Sequence, residues 1–301
     1  MISKPSFATA ILVAIFTSAA AQADPPPTRI VMTWVPPYAV DQCRARLDED
    51  AGGLGPRHVL THLTLQFWLP TRDGGVEKTQ RYGEISDGKI IAFRDWAHAH
   101  GIRVLLCVYN SVDAWDWSLA QAGFADHREA FVAALVVETQ RLGLDGVDVD
   151  LEGNGEFDSS KDAFVAFVRE LSGKLRAHGE QLTVDSFAYK WNAPNQTWWS
   201  ELFPLVDGIN TMGYEQIGAN GAEWRACGAQ RTAAGPNAAK LLIGFPGDKA
   251  EWLGNTAAEH LEWLARDPGV GVAIWDAQFE APFWRTASPW KALARIKKGR
   301  D

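Results

Sequence analysis

Along the chain, short apolar runs alternate with amphipathic stretches, and the two kinds of segment repeat with different periods. The apolar runs predict eight strands: residues 29–34, 58–67, 102–108, 144–152, 181–187, 206–212, 240–245 and 270–275. Between them the pattern turns helical. Phe164, Phe167, Val168, Leu171 and Leu175 recur at the spacing of one buried helical face, opened by Ser159 or Ser160. Asp126 and Glu129 have the spacing of a capping box, which predicts a helix from there to about Leu142. Thr256 and Glu259 repeat that signal before Leu261 and Leu264, and a closing helix is expected over Trp290 to Lys298.

Eight strand-then-helix units predict an α/β fold, a (β/α)8 TIM barrel in a single domain. The alternative is a doubly wound open sheet. Such a sheet would carry a glycine-rich phosphate loop after its first strand, and Trp34-Val-Pro-Pro-Tyr38 stands there instead. The last two strands are about 25 residues apart, too close for an inserted domain between them.

The N-terminus departs from this alternation. Lys4 is followed by the small apolar run Ala8 to Ala20 and then by Ala21-Gln22-Ala23. That order reads as a Sec-type signal peptide over residues 1–23, with the barrel in 24–301 and a secreted or periplasmic destination. The run is too short for a membrane anchor, which needs roughly 20 apolar residues. The formal charge of −8 becomes −9 once Lys4 is removed. An acidic chain without a basic run is a poor partner for nucleic acid or an anionic membrane, and a neutral glycan fits better. The barrel is expected to act as a monomer.

Three cysteines match no zinc spacing and are too few for a disulfide scaffold, although a Cys43–Cys227 bridge is allowed in an exported protein. Cys107, inside VLLCV, reads as a buried thiol. Fourteen tryptophans are many for 301 residues. Trp34, Trp68, Trp115, Trp117, Trp191, Trp198 and Trp199 fall at strand ends or in polar connections, where an indole face suits a sugar, while about half of the fourteen are expected in the core.

The segment Asp145-Gly-Val-Asp148-Val-Asp150-Leu-Glu152 carries the chemistry. Side chains alternate along a strand, so Asp148, Asp150 and Glu152 share one face and Val147, Val149 and Leu151 the other. The apolar face suits the layer between sheet and helices. The acids then point into the barrel, where they cost several kcal/mol unless protonated, paired or hydrogen-bonded. A calcium loop is the competing reading, but its twelfth position is Ser159 where a bidentate Glu is needed. An acidic edge strand is the other, but this strand is the fourth of eight and central.

The pattern met by Asp145, Asp148, Asp150 and Glu152 is DxxDxDxE, and it resembles the fourth-strand signature of glycoside hydrolase family 18, the chitinases and endo-β-N-acetylglucosaminidases. Met212-Gly-Tyr214 at the end of strand six and Trp275 at the end of strand eight extend the resemblance over most of the chain. The resemblance implies substrate-assisted retaining catalysis, an exception to the usual pair of flanking carboxyls. Glu152 protonates the leaving oxygen, and the substrate's N-acetyl oxygen attacks C1. Asp150 orients that group and balances the positive intermediate, Asp148 shares a proton with Asp150, and Tyr214 bonds the acetamido oxygen. Trp275 lies under the sugar, with Met212, Trp34, Tyr109 and Asn110 as further substrate-binding positions; Asp145 has a structural place in the motif. No metal or cofactor is required.

Two departures bear on the substrate. Where the family has Ser-x-Gly-Gly on strand three, this chain has Cys107-Val-Tyr109-Asn110, and Glu215 replaces an Asp after the tyrosine. Chitin oligomers and the N-glycan core both remain open as substrates for an endo-acting enzyme. A catalytically inactive glycan-binding protein is the alternative from another class, and the presence of Glu152 speaks against it. The exported protein is expected to begin at Asp24. N-terminal sequencing from the native host checks this, and retained Met1 would refute it.

Overall fold

The computed structural model describes residues 29–153, 158–186, 195–212, 225–247, 257–266 and 269–299. Residues 1–23, expected as a signal peptide, Thr256 of the second capping box and Tyr214 lie outside these. Nine strands form one sheet: β1 (Val31–Val35), β2 (His62–Pro70), β3 (Val76–Lys78), β4 (Arg103–Tyr109), β5 (Gly146–Asp150), β6 (Gln181–Ser186), β7 (Gly208–Thr211), β8 (Leu241–Pro246) and β9 (Gly271–Trp275). Eight are parallel to their neighbours, and β1 pairs with both β2 and β9, so the sheet closes on itself. This is the expected (β/α)8 barrel. The ninth strand, β3, was not anticipated. It turns back antiparallel on β2, with Trp68 opposite Lys78, and lies on the sheet as a hairpin extension.

The longer helices are α1 (Val40–Leu47), α2 (Asp87–Ala99), α3 (Arg128–Leu142), α4 (Lys161–Arg176), α5 (Arg225–Ala234), α6 (Ala257–Arg266) and α7 (Ala287–Lys298). The face read from the sequence of α4 is the face it buries: Phe164, Phe167, Val168, Leu171 and Leu175. Helix α3 ends at Leu142, with Gly143 in the left-handed region at φ 64°. Its start differs from the expected capping box. Residues Ala122–Asp126 continue from the helical turn Trp117–Gln121 as a wide π-type turn, and Asp126 is spent inside it. The helix therefore begins at Arg128 from His127, without a side-chain cap.

The acidic strand is held from outside by apolar packing. Val147, Val149 and Leu151 are buried in the same cluster as Phe131, Phe164, Phe167 and Leu171 of α3 and α4. Phe131 and Phe167 stack at 5.3 Å with 22° between their planes, and Phe124 meets the edge of Phe164 at 5.6 Å. The strand starts on Gly146 at φ 153°, where a side chain would run into the Gln181 backbone of β6. Cys43 is a buried free thiol, so the bridge allowed by the cysteine count is not formed; the Cys227 side chain lies outside the described residues. Phe167→Ala is expected to cost about 3–5 kcal/mol of stability by leaving a cavity behind the acidic strand. Chemical denaturation checks it.

Candidate active site

The strand period sets the site. Asp148 and Asp150 point into the barrel from β5, and Glu152 follows on the same face just beyond the strand; their exposures are 0%, 2% and 4%. Each acid is met differently by the neighbouring strands. Asp148, the deepest, accepts the Trp34 indole N–H of β1 at Oδ2 (2.9 Å) and the Thr183 hydroxyl of β6 at Oδ1 (2.5 Å), and the Cys107 thiol of β4 is its third donor. The cysteine thus makes the hydrogen bond that a serine on this strand would make. Asp150 accepts from Gln66 Nε2 of β2 at Oδ2 (2.7 Å), and among the described residues its Oδ1 has no amide or alcohol donor. Among the described residues Glu152 Oε2 is buried without a partner, while the carboxyl lies within hydrogen-bonding reach of Asp150.

What holds Glu152 is its backbone. The Asn110 side chain accepts the Glu152 N–H at 2.8 Å and donates to the Glu152 carbonyl at 2.6 Å. The same amide donates to the Asp116 carbonyl at 2.9 Å. The carboxyl is therefore positioned by a rigid main chain and left with an unengaged oxygen.

Burial favours the neutral form of each acid. Burial and the neighbouring Asp148 push Asp150 up to about 7. Burial and the Asp150 charge push Glu152 well above the usual carboxylate range. Burial also raises Asp148, against the pull of its three donors. The protons belong to the group and not to single residues. A carboxyl kept neutral near pH 7 is what a general acid needs.

The structure adds a fourth carboxyl that the motif did not contain. Asp185 on β6 is 4% exposed and accepts from Asn210 Nδ2 of β7 at 3.0 Å. The alternation of its own strand carried the signal, since Asp185 shares a face with Thr183. A fifth buried acid, Asp276, lies just after β9, where Gln278 donates its backbone N–H (2.8 Å) and Nε2 (3.0 Å) and the Tyr38 hydroxyl donates at 3.2 Å.

The remaining positions fall as follows. Trp275 is partly buried at the end of β9, its ring 5.8 Å from that of Trp34. Trp34 itself has no exposed surface and its face is covered, so what it offers the site is its N–H on Asp148. Tyr109 is 5% exposed and hydrogen-bonded to Thr79. Met212 is buried in the main apolar cluster. Asp145 lies at the opposite end of β5 from Glu152, accepting the Val104 N–H and pairing with His98, both at 2.7 Å. Tyr214 and Glu215 fall outside the described residues. Of the tryptophans expected at strand ends and connections, Trp34, Trp68, Trp198 and Trp199 are packed inside, Trp115 and Trp117 are half-buried, and Trp191 lies outside the described residues. The main apolar cluster takes Trp68, Trp198 and Trp199, and a smaller one with Met32, Cys107, Leu242 and Ala273 takes Trp34.

A closed parallel barrel with a row of acids rising along its fourth barrel strand to the C-terminal rim is the arrangement of a catalytic or ligand-binding barrel. The family follows from the sequence match: the profile of Glycosyl hydrolases family 18 covers residues 42–293, and the chain belongs to that family. Chitinase A1 of Niallia circulans is 28% identical over 209 residues, covering 56% of this chain and 30% of that protein. The chain thus spans about a third of the length of that relative. A chitinase from Chromobacterium violaceum superposes with a TM-score of 0.67 at 17% identity, over 90% of this chain and all of that one. The spore cortex-lytic enzyme SleL of Bacillus cereus does so at 0.65 and 15%, over 91% of this chain and 76% of that one. At these identities the likeness is one of fold.

A neutral buried carboxyl stabilises the folded state only while it stays neutral. In the unfolded chain Glu152 would release its proton near the ordinary Glu value of about 4.3. The folded state binds more protons above that pH, so stability falls as pH rises toward the raised folded value. Glu152→Gln removes this loss. Its melting temperature should exceed that of the wild type at about pH 8, with the gap closing toward about pH 4, below the unfolded value, in thermal melts across that range.

Proposed function

We propose that this chain is a secreted, endo-acting glycoside hydrolase that cleaves β-1,4 bonds in N-acetylglucosamine-containing glycans, with retention and with help from the substrate. The observation that carries the reading is the inward row of Asp148, Asp150 and Glu152, the topmost acid pushed up by burial and holding one oxygen without a partner among the described residues. Three acids on one strand, spaced by about 7 Å per same-face step, line one side of a sugar and do not flank it. That geometry supports an internal nucleophile. Glu152 donates its proton to the leaving oxygen, and the acetamido oxygen of the sugar attacks C1. Asp150 takes the acetamido N–H and balances the developing positive charge, while Asp148, anchored by Trp34, Thr183 and Cys107, fixes where Asp150 stands. Tyr214 would hold the acetamido oxygen, and Trp275 would supply the apolar platform beneath the ring. Water then opens the cyclic intermediate with Glu152 acting as base.

Substrates include chitin oligomers or the GlcNAc–GlcNAc core of N-glycans. The names of the relatives, chitinases among them, support the first. Export over residues 1–23 would bring the enzyme to such substrates. Product release from chitin oligosaccharides and from a high-mannose glycoprotein, measured side by side, separates the two substrates. Glu152→Gln should keep glycan binding and lose about 10²–10⁴ in rate. Oligomers with glucosamine in place of N-acetylglucosamine at the cleaved residue should not be cut, and the product should retain its anomeric configuration. Equal rates on acetylated and deacetylated oligomers would overturn the mechanism. Glycan binding by the wild type without turnover would mean a binding protein.

A further inference from the structure

We infer that Asp185 is a positioning residue of this site, holding a proton against Asp150 so that Asp150 can keep the negative charge that faces the substrate. The proposal rests on the substrate-assisted reading above. It starts from register. Asp148 of β5 pairs with Thr183 of β6, and Asp185 pairs with Asn210 of β7. One same-face step along both strands from Asp148 and Thr183 brings Asp150 and Asp185 side by side inside the barrel. Both are buried, at 2% and 4% exposure.

The donors are unequally shared. Asp148 has three: Trp34, Thr183 and Cys107. Asp150 has Gln66 on Oδ2, and among the described residues its buried Oδ1 has no amide or alcohol donor. Among the described residues, the groups within hydrogen-bonding reach of Asp150 besides Gln66 are the carboxyls of Glu152 and Asp185. Two carboxyl oxygens bond only when a proton lies between them. Each of the pair has one amide donor, Gln66 on Asp150 and Asn210 on Asp185; Asn210 Nδ2 occupies Oδ1 of Asp185 and leaves Oδ2 as the oxygen to carry the proton.

Among the described residues, the charged and titratable groups around Asp185 all disfavour a further negative charge. They are Asp148 and Asp150 of β5 and Glu152 beyond it, and β7 contributes the uncharged Asn210. Cys107 of β4 joins the same cluster as a neutral thiol. Among the described residues, no lysine, arginine or histidine is paired with any of the four carboxyls. Burial and these like charges drive Asp185 well above the carboxylate range. With its proton in place, Asp185 is a neutral donor to Asp150. The anion that must balance the oxazolinium-like intermediate then faces one fewer like charge and gains one hydrogen bond. No bond to the substrate changes at Asp185, and its proton stays on it through the cycle.

The experiment pairs an isosteric donor, Asp185→Asn, with an apolar residue of similar bulk, Asp185→Leu. The infrared spectrum of the substrate-free protein near pH 6–7 should lose one protonated-carboxyl stretching band in Asp185→Asn. An unchanged set of bands overturns the proposal, whatever the enzyme cleaves. In kcat/KM against pH, Asp185→Asn should keep the acid limb of the wild type and a rate within about tenfold, because its amide N–H replaces the carboxyl O–H. Asp185→Leu should move that limb up by about one pH unit or more, since Asp150 loses a donor to its charged form. A downward shift of the acid limb in Asp185→Asn would show that Asp185 is an anion in the wild type and sink the idea. Superposed profiles for the two variants would also sink it. If Asp185→Leu does not fold, the Asn variant and the infrared band still decide. Failure of every glycan assay would refute the functional reading alone, because the infrared result stands without turnover.

Discussion

Four carboxyl groups with almost no exposure inside one barrel are the constraint on which this structure depends. A lone charge taken from water into a protein interior costs several kcal/mol even after relaxation. Here the cost is offset by donors gathered from five strands: Trp34 of β1, Gln66 of β2, Cys107 of β4, Thr183 of β6 and Asn210 of β7. There are fewer donors than oxygens, so protons must make up the difference. That shortage, with burial, pushes Glu152 well above the usual carboxylate range, and a protonated Glu152 is the reagent the proposed chemistry uses.

Such an arrangement needs a frame that cannot relax toward the acids or open to water. Closure of β1 on β9 and β2 removes the sheet edges, and the aromatic layer of Phe131, Phe164 and Phe167 presses the far side of β5. Asn110 adds a local brace by bonding both backbone groups of Glu152. The glycines usual for the family at positions 109 and 110 would supply no such brace. This chain has Tyr109 and Asn110, and the asparagine secures Glu152 through its main chain.

Trp34 shows how one residue can serve the frame and the site together. Its ring has no exposed surface and packs beside Trp275, while its N–H reaches Asp148. Position at a strand end does not tell an exposed platform from a buried one. A ring there is covered or open according to what the next strand and its loop bring over it, and for Trp34, Trp68, Trp198 and Trp199 the ring is covered.

The sequence by itself determined the eight barrel strands, the buried face of α4 and the common facing of Asp148, Asp150 and Glu152. All three rest on periods of two or 3.6 residues, which a single segment carries whole. Tertiary structure alone decided the rest. The hairpin strand β3 has only three residues and exists because β2 offers it an edge. The expected cap at Asp126 gave way to a π-type turn joining two helical segments. Asp185 lay in view on its strand, and its neighbours became visible only when β5, β6 and β7 were set in register. Asn110 likewise meets Glu152 across 42 residues of chain. A facing is a local property of the backbone, whereas a hydrogen-bond partner or a shared proton depends on which strands the barrel brings together when it closes.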